Sequence, residues 1–292
     1  MDKYIEAISK SNVLSNDDAV KEEVKKITDR ASQYETEETY RFLLSSIDLT
    51  TLSTEDSQRS VAAFTQKVND FADNYPDIEN VAAICVYSNF AEVVKTYLDV
   101  PGVDIAVVAG GFPSSQTFTS VKIADVALAV ADGATEVDVV MNVGMLLDGN
   151  YEDLTDELIE MKHNARDAKM KVILETGALL NGEAIKKASI LALYSEADFI
   201  KTSTGKIYPG ASLEAAWVMC RCIREYYEKT GRKVGFKAAG GVRTPEDAVK
   251  YYAIVKEILG DEWLCHDLFR IGASSLANAI LSKITGKEEK AF

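Results

Sequence analysis

Several features that mark large classes of protein are scarce or missing in this 292-residue sequence. No apolar run approaches the roughly 18 residues of a membrane-spanning helix, and Met1–Glu6 lacks the apolar segment of a secretion signal. No disulfide spacing is found among the four cysteines, Cys85, Cys220, Cys222 and Cys265. We therefore expect a reduced protein of the cytoplasm that has no membrane partner.

Histidine is also scarce, with only two in the sequence. His163 lies within a helical pattern, and His266 follows Trp263-Leu264-Cys265. Neither belongs to a cluster of histidine, cysteine and acidic residues with the spacing of metal ligands. The sequence therefore predicts no metal site, and we expect a reaction that needs no cofactor.

Positive charge is in the minority. There are 32 lysines and arginines against 46 acidic residues, which gives a formal net charge of −14. Because nucleic acids are bound by basic surfaces, we expect no nucleic-acid partner. A small phosphorylated ligand is compatible with this charge, since a few lysines, an arginine and helix N-termini can supply positive charge locally.

From residue 42 onward the sequence repeats one unit: a short apolar strand, a polar or glycine-bearing turn and a helical pattern. The predicted strands are Ser46–Thr50, Val81–Tyr87, Val103–Ala109, Glu136–Met141, Lys171–Glu175, Asp198–Thr202, Lys233–Ala238 and Leu268–Gly272. The predicted helices between them include Ser57–Asn74, Phe118–Asp132, Glu152–Lys169, Leu213–Lys229 and Pro245–Leu259. This alternation predicts an α/β protein with a single (β/α)8 TIM barrel. The alternative, a doubly wound sheet, usually has a glycine fingerprint after its first strand, and Asp48–Ser53 has none.

Local signals define several helix ends. Thr244 is a predicted cap before Pro245, and Gly133 stands where a glycine is expected just past a helix end. Residues 1–40 are polar, with Val20, Val24 and Ile27 on one helical face after a predicted cap at Ser15. We therefore expect two parts: an N-terminal helical extension over residues 1–40 that packs on the barrel, and the barrel over residues 41–292.

Four predicted strands contain a charged residue that faces inward if the alternation of side chains holds: Asp48, Asp138, Lys201 and Lys237. A buried ammonium costs several kcal/mol unless it is paired or neutral. Two lysines on adjacent strands lower the pKa of at least one, and a neutral amine is a nucleophile. The small residues Gly235 and Ala239 leave space around Lys237. A purely structural ion-pair network is the alternative, but the pattern favours a reactive lysine.

Two glycine-bearing turns follow the last two strands, Gly240-Gly241-Val242-Arg243 and Gly272-Ala273-Ser274-Ser275. Barrels often bind phosphate in these loops, because glycines allow backbone N–H groups to approach the anion and a helix dipole favours it. Thr202–Lys206 superficially resembles a P-loop, but Ile200 occupies the position of the required first glycine. The two turns therefore predict a phosphate site of the barrel type.

Taken together, these segments resemble the deoxyribose-phosphate aldolases, a family of class I (Schiff-base) aldolases. The resemblance runs from about residue 42 to residue 280. It is carried by Ile47–Leu52, Val81–Tyr87, Glu136–Val140, Leu174–Gly177, Asp198–Lys206, Gly235–Lys237, Gly240–Thr244 and Gly272–Leu276.

The resemblance implies reversible cleavage of 2-deoxy-D-ribose 5-phosphate to D-glyceraldehyde 3-phosphate and acetaldehyde, in deoxyribonucleotide catabolism. Lys201 would form the Schiff base, Asp138 and Lys237 would relay protons, and Asp48 would support Lys237. The implied substrate-binding residues are Thr50, Thr204 and Lys206. The implied phosphate-binding residues are Gly205, Gly240, Gly241, Arg243, Gly272, Ser274 and Ser275.

Some features depart from the family pattern or leave alternatives open. Ala238 stands where a proline often follows the seventh-strand lysine, and the sequence ends in Phe292 where some relatives have a tyrosine. Cys85 is expected to be a packed core thiol. A Schiff-base aldolase with another donor, or a sugar-phosphate-binding barrel without catalysis, are the alternative functions. We also expect a homo-oligomer.

Overall fold

The computed structural model describes residues 3–292, in which eight parallel strands close into a barrel in chain order. The strands are β1 Ile47–Thr50, β2 Ala83–Tyr87, β3 Asp104–Ala109, β4 Glu136–Val140, β5 Lys169–Ile173, β6 Phe199–Lys201, β7 Gly235–Ala239 and β8 Phe269–Ala273. The ring closes where β1 pairs with β8, with Ile47 opposite Ile271. The predicted (β/α)8 barrel is confirmed.

Helices surround the barrel and precede it. Within residues 3–292 the α-helices are α1 Lys3–Ser9, α2 Asp17–Thr28, α3 Glu37–Ser45, α4 Gln58–Asn74, α5 Ala91–Tyr97, α6 Thr119–Ala131, α7 Val143–Asp148, α8 Tyr151–Ala165, α9 Gly182–Tyr194, α10 Leu213–Thr230, α11 Pro245–Leu259 and α12 Ser275–Thr285. Short 3-10 helices lie at Ala31–Tyr34, Ser88–Phe90, Thr176–Ala178 and Asp261–Trp263. In this part of the chain no helix is long and apolar enough to cross a membrane.

The predicted element ends are close to the observed ones, with one clear error. Each predicted strand begins and ends within two residues of the observed strand, but the helix predicted over Glu152–Lys169 stops at Ala165. Arg166 has a φ of +52°, which a helix cannot accommodate, and the chain turns there into β5. Lys169 therefore lies in a strand and not in a helix.

The caps show why the helices begin and end where they do. Thr244 accepts a hydrogen bond from the Asp247 N–H at 3.1 Å, as predicted. Gly133 follows α6 with a φ of +111°, also as predicted. The cap predicted at Ser15 is wrong, because Asn16 caps α2 by accepting from the Ala19 N–H. The Ser15 hydroxyl instead donates to Glu183 at 2.6 Å.

The N-terminal segment lies on the outer helical layer. Helix α2 buries Val20, Val24 and Ile27 and packs against α10 and α11, while α1 packs against α9. The predicted boundary at residue 41 falls within α3, which packs against α12. The division into an extension and a barrel remains a prediction.

Alternation along the strands separates two interiors. Outward-facing residues such as Val137 and Ile200 pack under the helices in the main apolar core. Inside the barrel, β2 and β3 contribute a wall of small apolar side chains made of Ala83, Cys85, Ala106 and Val108. We call this group the apolar wall. The other strands contribute charged side chains to the interior, and these build the site.

Candidate active site

The strand register brings the charged side chains to one level of the barrel. Lys201 on β6 stands opposite Lys237 on β7, and Lys237 stands opposite Arg270 on β8. Across the barrel, Asp138 on β4 stands opposite Lys171 on β5. Since paired residues in parallel strands point to the same face, all these side chains enter the interior together.

Asp138 is the centre of the cluster. Its Oδ2 accepts hydrogen bonds from the ammonium groups of Lys201 and Lys237, each at 2.7 Å, and its Oδ1 accepts from Lys171 at 3.0 Å. Burial by itself would raise the pKa of Asp138, but the three ammonium groups outweigh burial and hold that pKa well below its usual range. Asp138 is therefore a carboxylate at neutral pH.

Lys237 is fully buried between two carboxylates, Asp138 and Asp48. Burial lowers the pKa of a lysine, but the two carboxylates together raise the pKa of Lys237 above its ordinary value. Burial likewise acts to raise the pKa of Asp48, and Lys237, Arg270 and Lys171 overcome it and lower that pKa. Lys237 is thus held as an ammonium and Asp48 as a carboxylate.

Lys201 differs from its neighbour in its partners. Within residues 3–292, Asp138 is the only carboxylate within 4 Å of its Nζ. Burial lowers the pKa of Lys201, and the attraction of Asp138 does not cancel burial and the repulsion from Lys237, so the pKa lies below the ordinary lysine value. Of the two opposed lysines, Lys201 is the one that readily becomes a neutral amine.

Sequence reasoning found four charges in the barrel and missed three, Glu136, Lys171 and Arg270. All three are fully buried below Asp138. Arg270 donates to Asp48 at 2.6 Å and to Glu136 at 2.9 Å, and Lys171 donates to Glu136 as well as to Asp138. The alternation that placed Asp138 inward would also have placed Glu136, two residues earlier, inward.

A cavity of about 250 Å³ lies above Lys201 at the carboxyl end of the strands. Asp48, Asp138 and Lys237 lie beneath it and are fully buried. The cavity is lined by Thr50, Leu52, Lys201, Thr204, Gly205, Lys206, Ala239, Gly240, Gly241, Val242, Arg243, Gly272, Ala273, Ser274 and Ser275. Every residue that the sequence suggested for substrate or phosphate binding therefore lies on this cavity.

One end of the cavity has the features of an anion site. Gly240 and Gly241 have φ values of +79° and +87°, a conformation that favours glycine. Helix α12 begins at Ser275, so its positive end meets the cavity. Arg243 adds a guanidinium to the same end. Backbone N–H groups, a helix N-terminus and one arginine together can bind a phosphate dianion.

The predicted sugar-binding side chains are already engaged with the protein. The Thr204 hydroxyl donates to Glu175 at 2.5 Å and accepts from the Lys206 N–H at 3.2 Å, and the Thr50 hydroxyl donates to the Asp48 carbonyl at 2.7 Å. Glu175 also accepts from the Thr204 N–H. Sequence reasoning missed this role of Glu175, which is buried and has a φ of +53°. Its carboxylate orders the loop that follows Lys201.

Two other residues that the sequence left open have defined places. The ring of Phe292 stacks on Phe71 of α4 with centroids 4.9 Å apart, and its backbone bonds to Asn278 of α12. This ring therefore lies against the outer helices and away from the cavity. Cys85 is buried in the apolar wall, and burial raises the pKa of its thiol.

Sequence comparison agrees with this geometry. The profile of the DeoC/LacD family aldolases matches residues 42–281. The chain belongs to this aldolase family. It is 41% identical over 260 residues to a putative deoxyribose-phosphate aldolase of Caenorhabditis elegans, covering 88% of this chain and 86% of the relative. It is 43% identical over 254 residues to the deoxyribose-phosphate aldolase of Mus musculus, covering 82% and 78%.

Solved structures share the fold of the aldolase. A crystal structure of a putative deoxyribose-phosphate aldolase from Coccidioides immitis has a TM-score of 0.68 and 26% identity, covering 88% of this chain and 96% of that one. The deoxyribose phosphate aldolase of Aeropyrum pernix, described as a unique tetrameric structure, has a TM-score of 0.67 and 22% identity, covering 88% and 97%. The second likeness establishes the barrel fold alone. The aldolase is a carbon–carbon lyase.

Proposed function

We propose that this aldolase reversibly cleaves 2-deoxy-D-ribose 5-phosphate to D-glyceraldehyde 3-phosphate and acetaldehyde in deoxyribonucleotide catabolism, through a Schiff base on Lys201. The observation that carries the proposal is the pair Lys201 and Lys237, which share Oδ2 of Asp138 while only Lys237 has a second carboxylate partner. The names of the relatives support the choice of substrate.

Binding of the open-chain sugar phosphate would place its two ends on different chemistry. The phosphate would lie against Gly205, Gly240, Gly241, Arg243, Gly272, Ser274 and Ser275. Its aldehyde carbon would then face Lys201 across the cavity, and Thr50, Thr204 and Lys206 would line the path between. The cavity volume of about 250 Å³ accommodates a five-carbon sugar phosphate.

Covalent chemistry begins at Lys201. The neutral amine attacks the C1 aldehyde and forms a carbinolamine, and loss of water then gives a protonated imine. Asp138 accepts the proton that leaves the attacking nitrogen, and Lys237 donates a proton to the departing hydroxyl. Lys201 and Lys237 both contact Oδ2 of Asp138, so a proton can pass between the two lysines through this carboxylate without large movement.

Cleavage breaks the bond between C2 and C3. The C3 hydroxyl gives its proton to Asp138 as C3 of the sugar becomes the aldehyde carbon of glyceraldehyde 3-phosphate, and the electron pair of the broken bond moves into the imine to give an enamine. Protonation of the enamine carbon and hydrolysis by water release acetaldehyde and restore the amine.

The remaining partners follow from the same proposal. The substrate is a small sugar phosphate and the donor is acetaldehyde, and we infer that the aldolase is a homo-oligomer because a relative is described as tetrameric. A Schiff-base aldolase with another donor is the second candidate. The cytoplasmic location expected from the sequence remains a prediction.

Borohydride reduction in the presence of 2-deoxyribose 5-phosphate tests the proposal. Mass spectrometry of the lysine-bearing peptides should show the adduct on Lys201, and the Lys201→Arg variant should show none. An adduct on Lys237 alone would reverse the two roles. Absence of any adduct while the sugar phosphate still binds would favour the non-catalytic binding barrel. Comparing acetaldehyde with longer aldehydes in the synthesis direction would decide between donors.

A further inference from the structure

A third lysine, Lys171, contacts the carboxylate at the centre of the site. It is fully buried on β5 and does not line the cavity, so it is out of reach of a substrate. Its Nζ is 3.0 Å from Oδ1 of Asp138 and 3.7 Å from Oδ2 of Asp48, and it also pairs with Glu136. A lysine so placed can influence the reaction only through the carboxylates that it contacts.

The contact between Lys171 and Asp138 gives the two oxygens of that carboxylate different partners. Oδ1 is taken by Lys171 from below, and Oδ2 is left to Lys201 and Lys237. Because Lys171 stands opposite Asp138 in the register of β4 and β5, the backbone itself fixes the distance between them. Loss of this contact would free the carboxylate to rotate and would concentrate its charge on the two remaining lysines.

The charge balance of the interior points the same way. In the cluster around Asp138 the buried carboxylates are Asp48, Glu136 and Asp138, and the buried cations are Lys171, Lys201, Lys237 and Arg270. Glu175, which is as buried as Lys201, bonds to Thr204 outside this cluster. One cation therefore has no fully buried counter-charge, although the partly exposed Asp104 lies 3.1 Å from Arg270. A surplus positive charge in a dry interior is removed most easily from the lysine with the fewest carboxylate partners, and that lysine is Lys201.

We propose that Lys171 is a positioning residue that holds Oδ1 of Asp138 and supplies the surplus cation, so that Lys201 can lose its proton and act as the nucleophile. This inference rests on the proposed role of Lys201. The charged or titratable groups around Lys171 and Lys201 are Asp48 on β1, Cys85 on β2, Glu136 and Asp138 on β4, Lys237 on β7 and Arg270 on β8.

The proton on Lys201 can be measured without the sugar phosphate. Formaldehyde forms imines with neutral amines, and cyanoborohydride reduces those imines to methylamines that peptide mass spectrometry can count. The labelling of Lys201 is followed from pH 6 to pH 11 relative to the exposed Lys290, which cancels the reagent's own pH dependence. Because no aldol cleavage is needed, failure of the proposed reaction would leave this readout intact.

The variant Lys171→Met removes the surplus charge and the Oδ1 contact. We expect half-maximal labelling of Lys201 to move upward by about one pH unit or more, since Asp138 then attracts Lys201 more strongly. The Lys171→Arg variant keeps the charge and should shift the midpoint much less. Lys122→Met is the matched control, because Lys122 is also fully buried against one carboxylate, Glu157, and lies outside the barrel interior.

The outcomes separate the proposal from a merely structural role. A midpoint that moves in Lys171→Met and not in Lys122→Met supports the proposal. An unchanged midpoint in a folded Lys171→Met protein overturns it. If Lys171→Met does not fold, the double variant Glu136→Gln with Lys171→Met removes one charge of each sign. Relative to Glu136→Gln alone, the double variant should show an upward shift of similar size, and a midpoint equal to that of Glu136→Gln would refute the proposal.

Discussion

Lys201 and Lys237 stand opposite each other on β6 and β7, and both ammonium groups lie 2.7 Å from the same oxygen of Asp138. They differ in what else they contact, because Lys237 also pairs with Asp48. Burial acts to lower the pKa of both lysines. Asp138 and Asp48 together outweigh burial at Lys237, whereas Asp138 alone does not outweigh it at Lys201. This difference within an almost symmetric pair is the basis for proposing Lys201 as the nucleophile and Lys237 as the proton carrier.

Replacement of Lys201 tests the nucleophile. Lys201→Met should abolish cleavage of 2-deoxyribose 5-phosphate, because within residues 3–292 the only other amine that lines the cavity is that of Lys206, which donates to the Leu52 carbonyl. Binding of inorganic phosphate, measured by calorimetry, should change less than about threefold, since the glycine turns and Arg243 are untouched. Turnover above about 1% of wild type would contradict a Schiff base on Lys201.

Replacement of Asp48 tests the asymmetry of the two lysines. Asp48→Asn removes the second carboxylate of Lys237, so its pKa should fall toward that of Lys201. Reductive methylation with formaldehyde and cyanoborohydride, which needs no room for a sugar phosphate, should then label Lys237 as well as Lys201. Breaking buried pairs in this way costs about 3–5 kcal/mol of unfolding free energy, which urea denaturation measures. Labelling confined to Lys201 would show that Asp48 does not set the difference.

Replacement of Arg243 tests the phosphate end of the cavity. Arg243→Ala should raise KM for 2-deoxyribose 5-phosphate by about 10-fold to 100-fold, the worth of one charge-assisted hydrogen bond. The kcat should change little, because the lysines and Asp138 are not in contact with Arg243 in the described chain. Unphosphorylated 2-deoxyribose is the control substrate, and an equal loss with it would remove Arg243 from the phosphate site.

The buried carboxylates make a prediction for acid stability. Because the pKa values of Asp48 and Asp138 are lowered on folding, their stabilising effect is complete above their unfolded pKa of about 3.9 and is lost as the pH falls through the folded values. Unfolding free energy should therefore lose nothing from these two groups between pH 7 and pH 5, and fall steeply below about pH 4. Asp48→Asn should reduce this acid slope, and replacement of the half-buried Asp247 by Asn should leave most of it. A wild-type slope retained by Asp48→Asn would contradict this account.

The contact of Phe292 with α4 predicts a stability effect without a catalytic one. Phe292→Ala removes a stacked ring pair and part of its buried area, which should cost about 1–3 kcal/mol. The kcat should remain within about twofold of wild type, because the ring lies outside the cavity. A large fall in kcat with normal thermal stability would place this ring in the catalytic step. Phe292→Leu should recover most of the lost stability.

The fold could be predicted from the sequence because its signals are local and repeated. Eight apolar segments with turns and helices between them lead directly to the barrel, and Thr244 with Pro245 defines a helix start to the residue. Local patterns failed where tertiary contacts decide. Ser15 is as good a cap as Asn16, and only the contact of its hydroxyl with Glu183 determines which of them caps α2.

Most residues of the candidate site could be predicted from the sequence, but the partners of its buried charges could not. Glycine turns and strand-end lysines are visible along the chain, whereas the partners of a buried charge come from strands far apart in sequence. Lys171 and Arg270 lie within predicted strands, but no role followed for them, because the carboxylates that they pair with come from other strands. Glu175 was overlooked because its role depends on the loop after β6.

The distribution of buried charge along the chain has a consequence for assembly. Strands β1 to β4 supply the acids Asp48, Asp104, Glu136 and Asp138, while β5 to β8 supply the cations Lys171, Lys201, Lys237 and Arg270. Of these barrel charges, a fragment ending near Gly149 would contain the acids alone, and the remaining fragment would contain the cations alone. Two copies of the same half would therefore repel each other in a symmetric pair, whereas the two different halves complement each other in charge. The amine of Lys201 and the carboxylate of Asp138 therefore come from different halves of the barrel and meet only when the two halves associate.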